Sequence, residues 1–545
     1  MGECMPHAGL FSLLTLVTGC LFTQPDPPLL RVTSPERASL LEQPDGMLTV
    51  TGIAAPNASG AAIERVVVNG TAARVAADGS FTATIHVPPG GNLIQTVATD
   101  AEGGVATDTR AIAAGERHAS GSSNPRAIAV QLAPNMFERI AKLATEEIKQ
   151  ADLSTLVREA NPIVDASGAG GCFGATADVN SVTISDADVS LVPTTGGLQI
   201  VATFYQPVIT GRMQFSVACS ADSRDFTMTA NRATVRAKLV FESGAAGLTP
   251  RLDQPAFETP GLQVTTSGEI PNAILGILPL ERIIGAVTPT ATRMFIDPMI
   301  RDALVDLQQP HQLEVLGKSV TVAGIPSAVE FSPVGGKVML DLSFALAGGE
   351  TSKGFTFTPN GNPQLAAPDG IGLGISDDLV NDALAQLAAS KLLDVTLPFD
   401  GGDFDTITLT PTLSPMINAD SADGRLQVLL PDMDAKFLRG GEVVTTAAVN
   451  AQIAIAVRPA GDGGSVTIDL GKASFAIDAV GDDGGLAMTP SSSFAAAIDL
   501  GANNQRSSIE LTISAIPLPK LGELTLSNVS ITADSGYLKA MGTVR

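Results

Sequence analysis

Positive charge is scarce in this sequence: 33 Lys and Arg stand against 56 Asp and Glu, which gives a formal net charge of −23 at pH 7. A protein that binds nucleic acid needs Lys and Arg to displace the counterions of the phosphates. A protein held on a membrane by charge needs basic residues to attract anionic lipids. The charge balance therefore excludes nucleic acid as a partner and argues against electrostatic attachment to a membrane.

Signals of catalytic or metal-binding chemistry are also lacking. Of the four histidines, His86, His118 and His311 lie far apart in the sequence. The chain contains neither a Gly-x-Ser-x-Gly elbow nor a His-Glu-x-x-His pair. The acidic turns at 400–405 and 418–425 lack the spacing of an EF-hand and indicate solvated loops, with weak calcium binding as the alternative. We expect no enzyme, no catalytic residue, no metal site and no cofactor.

Tryptophan is absent, and charged residues make up only 16% of the chain, whereas 44% is hydrophobic. Glycine (54) and proline (35) are plentiful, and Val, Ile, Thr and Ala recur in alternating runs. This composition favours sheets and turns over long helices. A chain of 545 residues is too long for one ordinary domain, so we expect several.

The N-terminus carries an export signal. Residues 8–19, AGLFSLLTLVTG, form an apolar segment directly before Cys20. This segment is too short to span a bilayer but suits a signal peptide. VTGC resembles the lipobox of bacterial lipoproteins, which implies removal of residues 1–19, lipidation of Cys20 and, with Leu21 next, anchoring to the outer membrane. Residues 20–28 would be a proline-rich spacer. An ordinary secretory signal with a chance cysteine is the alternative.

Residues 29–115 contain short alternating strands separated by the turn signals VNG, ADGS and DAEGG. Regular short strands over such a segment predict a small all-β sandwich. The series VVVNG, ADGSFTATIHV and TVATDAEGG resembles bacterial immunoglobulin-like modules of surface proteins and carbohydrate-active enzymes, which implies a spacer or adhesion unit. ERHASGSSNPR, at 116–126, predicts a linker to the rest of the chain.

Two later stretches share one pattern of a strand followed by a helix. In the first, apolar residues at 128, 130 and 132 alternate and lead into a helix with Pro134 in its first turn. In the second, apolar residues at 371, 373 and 375 lead into a helix capped by Ser376. A shift of 243 positions (371 minus 128) aligns the two. The pattern predicts two related halves.

The second stretch superficially resembles a dinucleotide fingerprint, because Gly370, Gly372 and Gly374 precede the helix. These glycines, however, occupy one face of the predicted strand. Asp377 and Asp378 at the helix N-terminus would repel the pyrophosphate that such a fingerprint binds. The pattern therefore excludes a nucleotide site.

Two cysteines, Cys172 and Cys219, lie far inside the chain. An exported protein can pair them as a disulfide, because oxidising compartments allow it. Two unpaired buried thiols are the alternative.

The order of features from 127 to 545 resembles the tubular lipid-binding (TULIP) superfamily of proteins like bactericidal/permeability-increasing protein. GISDDLVNDALAQLAASKLL resembles the opening helix of the family's C-terminal domain, and IPLPKLGELTLSNVS resembles its closing segment. The resemblance implies an α+β fold, predominantly antiparallel β, with two tandem TULIP-like barrels at 127–325 and 326–545, in which long helices pack on twisted sheets. The spacing of Cys172 and Cys219 is similar to that of the family's disulfide.

The resemblance also implies a partner: a phospholipid or another acyl lipid, held between helix and sheet. The residues expected to line the pockets are Met136, Phe137, Ile140, Leu143, Ile148, Leu379, Ala383, Leu384 and Leu387. A dry core is the alternative, since apolar stripes of this kind usually form one. We expect a membrane-anchored lipoprotein that binds or transfers lipid. The alternative is a cell-surface adhesin or scaffold whose barrels hold no ligand.

Overall fold

The computed structural model describes residues 26–42, 46–159, 161–167, 172–244, 247–269, 310–315, 318–349, 351–358, 360–365, 369–401, 404–420, 423–459, 465–471, 473–479, 516–517 and 526–544. Within these ranges the chain is an α+β protein built mostly of antiparallel strands, with few helices. The predicted signal peptide and Cys20 lie outside the described residues.

The N-terminal part of the chain is a small β-sandwich. Its strands are β1 (Leu29–Ser34), β2 (Ser39–Leu41), β3 (Met47–Ala55), β4 (Ile63–Val68), β5 (Thr71–Ala72), β6 (Arg74–Val75), β7 (Ser80–His86), β8 (Gly90–Asp100) and β9 (Val105–Ala114). The two sheets have the orders β1-β3-β7-β6 and β2-β9-β8-β4-β5. Alternate residues, among them Leu30, Val50 and Phe81, fill one shared core, because successive side chains of a strand point to opposite faces. The predicted sandwich is confirmed.

The segment predicted as a linker, 116–126, takes part in sheets. Strand β10 (Glu116–His118) pairs with β24 (Phe355–Phe357), and β11 (Asn124–Leu132) begins within the segment. The ring of His118 stacks on that of Phe357 with centroids 4.5 Å apart. The polar, glycine-containing sequence of this segment gives no sign of these contacts, because the strand that pairs with it lies far along the chain.

A seven-stranded sheet joins the two halves of the remaining chain. Besides β11 it contains β21 (His311–Val315), β22 (Lys318–Ser332), β23 (Gly335–Leu346), β25 (Gly370–Ser376), β34 (Leu526–Asp534) and β35 (Tyr537–Val544). The order is β21-β22-β23-β11-β25-β35-β34, and all neighbouring pairs are antiparallel. The expected boundary between lobes, 325/326, falls within β22, so the two expected lobes share this sheet.

The two strand–helix stretches meet in this sheet. Strand β11 pairs with β25 so that Ile128 lies opposite Ile375, Val130 opposite Leu373 and Leu132 opposite Ile371. Helix α1 (Pro134–Gln150) follows the first strand and helix α3 (Asp377–Ala389) follows the second. The helices begin 243 positions apart (377 minus 134), as the sequence repeat predicts. The repeated strands therefore pair with each other antiparallel, and the two helices begin at opposite ends of this strand pair.

Two further sheets follow α1. They are built from β12 (Val164–Ser167), β13 (Phe173–Thr183), β14 (Asp186–Thr194), β15 (Gly197–Tyr205), β16 (Val208–Val217), β17 (Ser220–Thr229), β18 (Arg232–Gly244), β19 (Gly247–Glu258) and β20 (Gln263–Thr266). Their orders are β12-β13-β16-β17-β20 and β14-β15-β18-β19. Helix α1 packs on β14, and the short helix α2 (Leu153–Arg158) packs on β13. A disulfide joins Cys172, just before β13, to Cys219 in the turn between β16 and β17.

The C-terminal part adds an eight-stranded sheet. Its strands are β26 (Val395–Gly401), β27 (Phe404–Thr410), β28 (Met416–Asn418), β29 (Leu426–Arg439), β30 (Glu442–Pro459), β31 (Ser465–Leu470), β32 (Ser474–Ala479) and β33 (Ile516–Pro517). The main path is β26-β27-β29-β30-β31-β33, with β28 on β29 and β32 on β30. The residues described after 404 form strands and the turns and loops between them. None of the helices seen in the described ranges has both the length and the apolar character to cross a bilayer.

Candidate functional site

Helix α1 buries one edge of its apolar stripe. Met136 is 4% and Phe137 is 5% exposed. Phe137 packs with Leu198, Ile200 and Leu239 of the sheet β14-β15-β18-β19. Pro134 occupies the first turn of the helix, where its missing N–H costs nothing, and the buried Met136 and Phe137 lie two and three positions after it. The first residues of the predicted stripe therefore belong to a packed core.

The other predicted residues of α1 lie nearer solvent. Ile140 and Ile148 are half-buried. Leu143 is 69% exposed, although the sequence stripe places it among the pocket residues. Thr145 takes the buried position one turn from Ala141, and its hydroxyl donates to the Ala141 carbonyl oxygen at 2.9 Å. The helix thus presents an uncovered leucine beside a half-buried apolar edge.

Helix α3 buries its polar face, whereas its leucines predicted that the apolar face would be buried. Its buried residues are Asp377, Asp378, Asn381, Asp382, Ala385 and Gln386. The four apolar residues predicted to contact lipid, Leu379, Ala383, Leu384 and Leu387, are only half-buried. Burial of a polar helix face is unusual, because each buried polar group must find a hydrogen-bond partner.

Partners for the buried acids come from neighbouring segments of backbone and side chain. The Asp378 carboxylate accepts from the Thr358 backbone N–H at 2.9 Å and from Asn360 Nδ2 at 3.0 Å. The Asp377 carboxylate accepts from the Ala419 backbone N–H at 3.0 Å. These bonds tie the start of α3 to the approach to β25 and to the loop after β28. Ser376 caps the helix by accepting from the Leu379 N–H, as predicted.

A second group of contacts holds the middle of α3. Asp382 accepts from Asn124 Nδ2 at 3.1 Å and from Gln386 Nε2 at 2.8 Å. The Oε1 atom of Gln386 accepts from the Leu346 N–H at 2.7 Å. Asn381 bonds to both the N–H and the carbonyl oxygen of Ile417. Sequence reasoning missed this network, because it followed the apolar residues of the helix and the partners of the polar ones lie on distant segments.

Burial dominates the electrostatics of this network. It raises the pKa of Asp377 to about 6 and the pKa of Asp378 to about 7, and the charge of Asp377 adds to the shift at Asp378. Burial also raises the pKa of Asp382, against the opposing hydrogen bonds from Gln386 and Asn124. Removing carboxylates from water disfavours their charged form, which explains the common direction. The helix therefore carries acids that take up protons near neutral pH.

A small apolar cavity lies at one end of the pair of sheets after α1. Its walls include Ile209, Met228, Ala233, Phe257 and Leu262, and its volume is about 40 Å³. Ile209, Met228 and Leu262 belong to the core of the sheet β12-β13-β16-β17-β20. Ala233 and Phe257 come from β18 and β19. The cavity is therefore a gap between the strand ends of two sheets, with room for about one water-sized group.

A larger cleft of about 810 Å³ separates the β-sandwich from the C-terminal sheet. Residues 88–93 of the sandwich line one side. The other lining residues come from around β28 and β29, from Gln452 of β30, from the segment before β25, from the start of α3 and from the turn before β35. Nothing in the sequence marks this cleft, because its lining residues come from segments far apart in the chain. No group of three or more His, Cys, Asp or Glu suited to a metal ion occurs in the described part of the chain.

Comparison with known proteins gives one match at the level of sequence families. Residues 28–115 match the family of glucodextranase domain B. The matched segment is the β-sandwich, in agreement with the immunoglobulin-like module expected there. No curated protein matches the chain.

Among solved structures, that of lipopolysaccharide binding protein has a TM-score of 0.39 and 14% identity, covering 77% of this chain and 99% of that one. P47 of Clostridium botulinum E1 has a TM-score of 0.30 and 10% identity, covering 78% of this chain and 100% of that one.

Proposed function

We propose that this protein is a lipid-anchored lipoprotein that binds acyl lipids, holding phospholipid-like molecules by their chains and passing or sequestering them without covalent chemistry. The observation that supports it is the orientation of α3. This helix buries its acids and amides and leaves its apolar residues half-covered. Since exposed apolar surface is unfavourable in water, an apolar ligand on this surface would be stabilised.

The same property recurs on α1, where Leu143 is 69% exposed next to half-buried Ile140. The two helices begin the two repeated units, so the protein would offer two related apolar surfaces. Burial of an acyl chain contributes about 0.8 kcal/mol per methylene. A dozen methylenes would contribute about 10 kcal/mol, comparable with the usual cost of association.

The packing of α1 limits where the acyl chain of a lipid could lie. Met136 and Phe137 are already committed to cores with Ile371 and Leu198. The ligand would therefore lie along Ile140, Leu143 and Ile148 rather than beneath the first turn. In the C-terminal unit it would lie along Leu379, Ala383, Leu384 and Leu387. The finer proposal is that these seven residues contact lipid in two TULIP-like lobes.

Anchoring would come from the N-terminus. Lipidation of Cys20 would attach the chain to the bacterial outer membrane, and the spacer and sandwich would hold the lipid-binding part at a distance from it. Replacement Cys20→Ser should move the protein from the membrane fraction to the soluble fraction. Retention of Cys20→Ser in the membrane fraction would contradict the anchor.

Lipid binding is tested on the full chain extracted from membranes. Solvent extraction and mass spectrometry should detect co-purifying acyl lipids, and the delipidated protein should take up labelled chains from vesicles of phosphatidylethanolamine and phosphatidylglycerol. The variants Leu143→Asp and Leu384→Asp should reduce uptake. Val334→Asp is the matched control, because Val334 is 73% exposed and lies in the turn between β22 and β23. A protein that carries no lipid and takes up none would contradict the proposal.

The second candidate is a surface adhesin or scaffold with no ligand. The packed cores favour this candidate. The sandwich, the sheet β12-β13-β16-β17-β20 and the C-terminal sheet each bury an apolar cluster of their own. A protein that is lipid-free after gentle extraction but binds whole cells would support the adhesin.

A further inference from the structure

We propose that the cleft between the β-sandwich and the C-terminal sheet binds an uncharged polyhydroxylated ligand, of the chemical class of a neutral oligosaccharide. The cleft has a volume of about 810 Å³, within the range of about 300–1,000 Å³ typical of sites for small ligands. Its lining differs from the apolar helix surfaces considered for lipid, so the proposal does not depend on lipid binding.

Amides dominate the polar groups of the cleft. The amide side chains that line it are Asn92, Asn360, Asn418, Gln427 and Gln452, together with the carboxylates of Asp377 and Asp420 and the hydroxyls of Thr358 and Ser535. An amide side chain both donates and accepts hydrogen bonds, as a sugar hydroxyl does, whereas a carboxylate accepts from hydroxyls. Five amides and two acids therefore match a ligand that carries many hydroxyls.

Charge narrows the class of ligand further. Among the described residues that line the cleft there is no Lys or Arg, whereas two aspartates are present. Phosphate, sulfate or carboxylate groups would meet acids without compensating cations, which is unfavourable at short distance. The cleft therefore favours a neutral ligand over nucleotides, sugar phosphates and acidic glycans.

Several of these polar groups are available to a ligand. Within the described residues, the side-chain amides of Gln427 and Gln452 have no hydrogen-bond partner, and Gln452 is exposed. The Asn418 Oδ1 atom accepts from the Asp420 N–H at 2.7 Å, so its NH₂ group remains for a ligand. Asn92 Nδ2 donates to the carbonyl oxygens of Pro88 and Gly90, at 2.8 and 3.0 Å, which fixes the wall on the sandwich side.

The floor of the cleft is apolar and rigidly packed. Met416 and Leu429 are both 8% exposed and form a core with Ala113 of the sandwich. A Cβ atom added to Gly91 would lie 2.8 Å from the side chains of Leu429 and Met416, so the two parts are in close contact there. Sugar rings present C–H faces as well as hydroxyls, and an apolar floor beneath polar walls suits both.

The test uses the full protein and neutral tetrasaccharides: maltotetraose, isomaltotetraose, cellotetraose and mannotetraose. Saturation-transfer NMR and calorimetric titration should show binding of at least one of them. The variants Gln427→Ala and Gln452→Ala should each weaken that binding about five- to tenfold, the usual effect of losing one or two hydrogen bonds. Gln199→Ala, at an exposed position of β15 that does not line the cleft, should leave the affinity unchanged.

Glucose 6-phosphate and a sulfated tetrasaccharide serve as anionic probes and should bind more weakly than the neutral sugar. The proposal is overturned if none of the tetrasaccharides binds at millimolar concentration, if both glutamine variants bind like the unaltered protein, or if the anionic probes bind more tightly. Lipid uptake from vesicles should be unchanged in both glutamine variants, so failure of this proposal is distinguishable from failure of lipid binding.

Discussion

Arg37 of the β-sandwich donates from Nη1 to Oδ1 of Asp432 in the C-terminal sheet at 3.0 Å, across 395 positions of sequence. The same guanidinium donates from Nη2 to Asp478 at 2.9 Å and to Asp108 at 3.3 Å. Asp108, Asp432 and Asp478 are at most 4% exposed. Asp108 also pairs with Arg110, whose Nε donates to its Oδ1 at 2.8 Å. Arg37 therefore bridges three buried carboxylates where the sandwich meets the C-terminal sheet.

The first prediction concerns this contact. Arg37→Met should destabilise the junction by about 3 kcal/mol or more, because it leaves the buried carboxylates of Asp432 and Asp478 without this cation. Urea unfolding should then show the sandwich separating from the rest of the chain in a distinct early transition, and limited proteolysis should cut between the two parts. Arg65→Met, at an exposed position of β4 in the same sandwich, is the control. A single transition shared by both variants would contradict this role of Arg37.

The second prediction concerns pH. Burial raises the pKa of Asp377 and Asp478 to about 6 and that of Asp378 to about 7. The folded protein therefore holds protons that the unfolded chain releases between pH values of about 4 and 7. Stability from these groups is fully present at the acidic end of this window and is lost as the pH rises through it. The thermal midpoint should rise when the pH is lowered from 8 to 5.

Asp378→Asn isolates the contribution of one carboxyl. The variant should weaken the dependence of the thermal midpoint on pH between 5 and 8, because the titrating group is gone. Asn360 can turn its amide so that Oδ1 accepts from the new side chain. Asp188→Asn, at an exposed position of β14, should keep the original dependence. Identical pH profiles for both variants would show that Asp378 does not carry the effect.

The third prediction concerns two glycines of β25. A Cβ atom added to Gly372 would lie 2.6 Å from the Leu365 carbonyl oxygen, whereas one added to Gly374 has its closest contact at 3.3 Å, with the Tyr537 ring. Gly372→Ala should therefore cost about 1–3 kcal/mol of unfolding free energy, because backbone must move. Gly374→Ala should cost less. Urea denaturation of both variants decides the matter, and equal losses would contradict the steric explanation.

The fourth prediction concerns the disulfide between Cys172 and Cys219, which are 47 positions apart. Closing a loop of this length restricts the unfolded chain and contributes up to about 4 kcal/mol. The double variant with serine at both positions should unfold at a lower temperature than the parent protein. Treating the parent protein with reductant should lower its unfolding temperature by the same amount. The double variant itself should not respond to reductant. An unchanged midpoint would show that strands β13, β16 and β17 hold this region without the bond.

The sequence was a good guide wherever a short-range pattern determines the structure. The turn signals located the hairpins of the sandwich, and the alternation at 128–132 and 371–375 located two strands. Pro134 and Ser376 marked both helix starts, because capping depends only on residues within one turn. The offset of 243 positions between the two helices also followed from the repeat (377 minus 134).

Which face of each element is buried could not be read in the same way. The leucines of α3 predicted an apolar buried face, yet Asp378 and Asp382 are fully buried. Their partners, Thr358, Asn360 and Asn124, lie on other segments of chain. A polar face can be buried only where such partners converge, and that convergence is a property of the tertiary structure.

By itself, then, the sequence determined strands, the two helix starts and the internal repeat. Only the tertiary structure placed Ile128 opposite Ile375, brought Arg37 to Asp432 and enclosed the amide-lined cleft between the two parts of the chain. Periodicity and capping act over a few residues and leave a trace in the local sequence. Contacts between distant segments depend on the path of the whole chain, which no local pattern encodes.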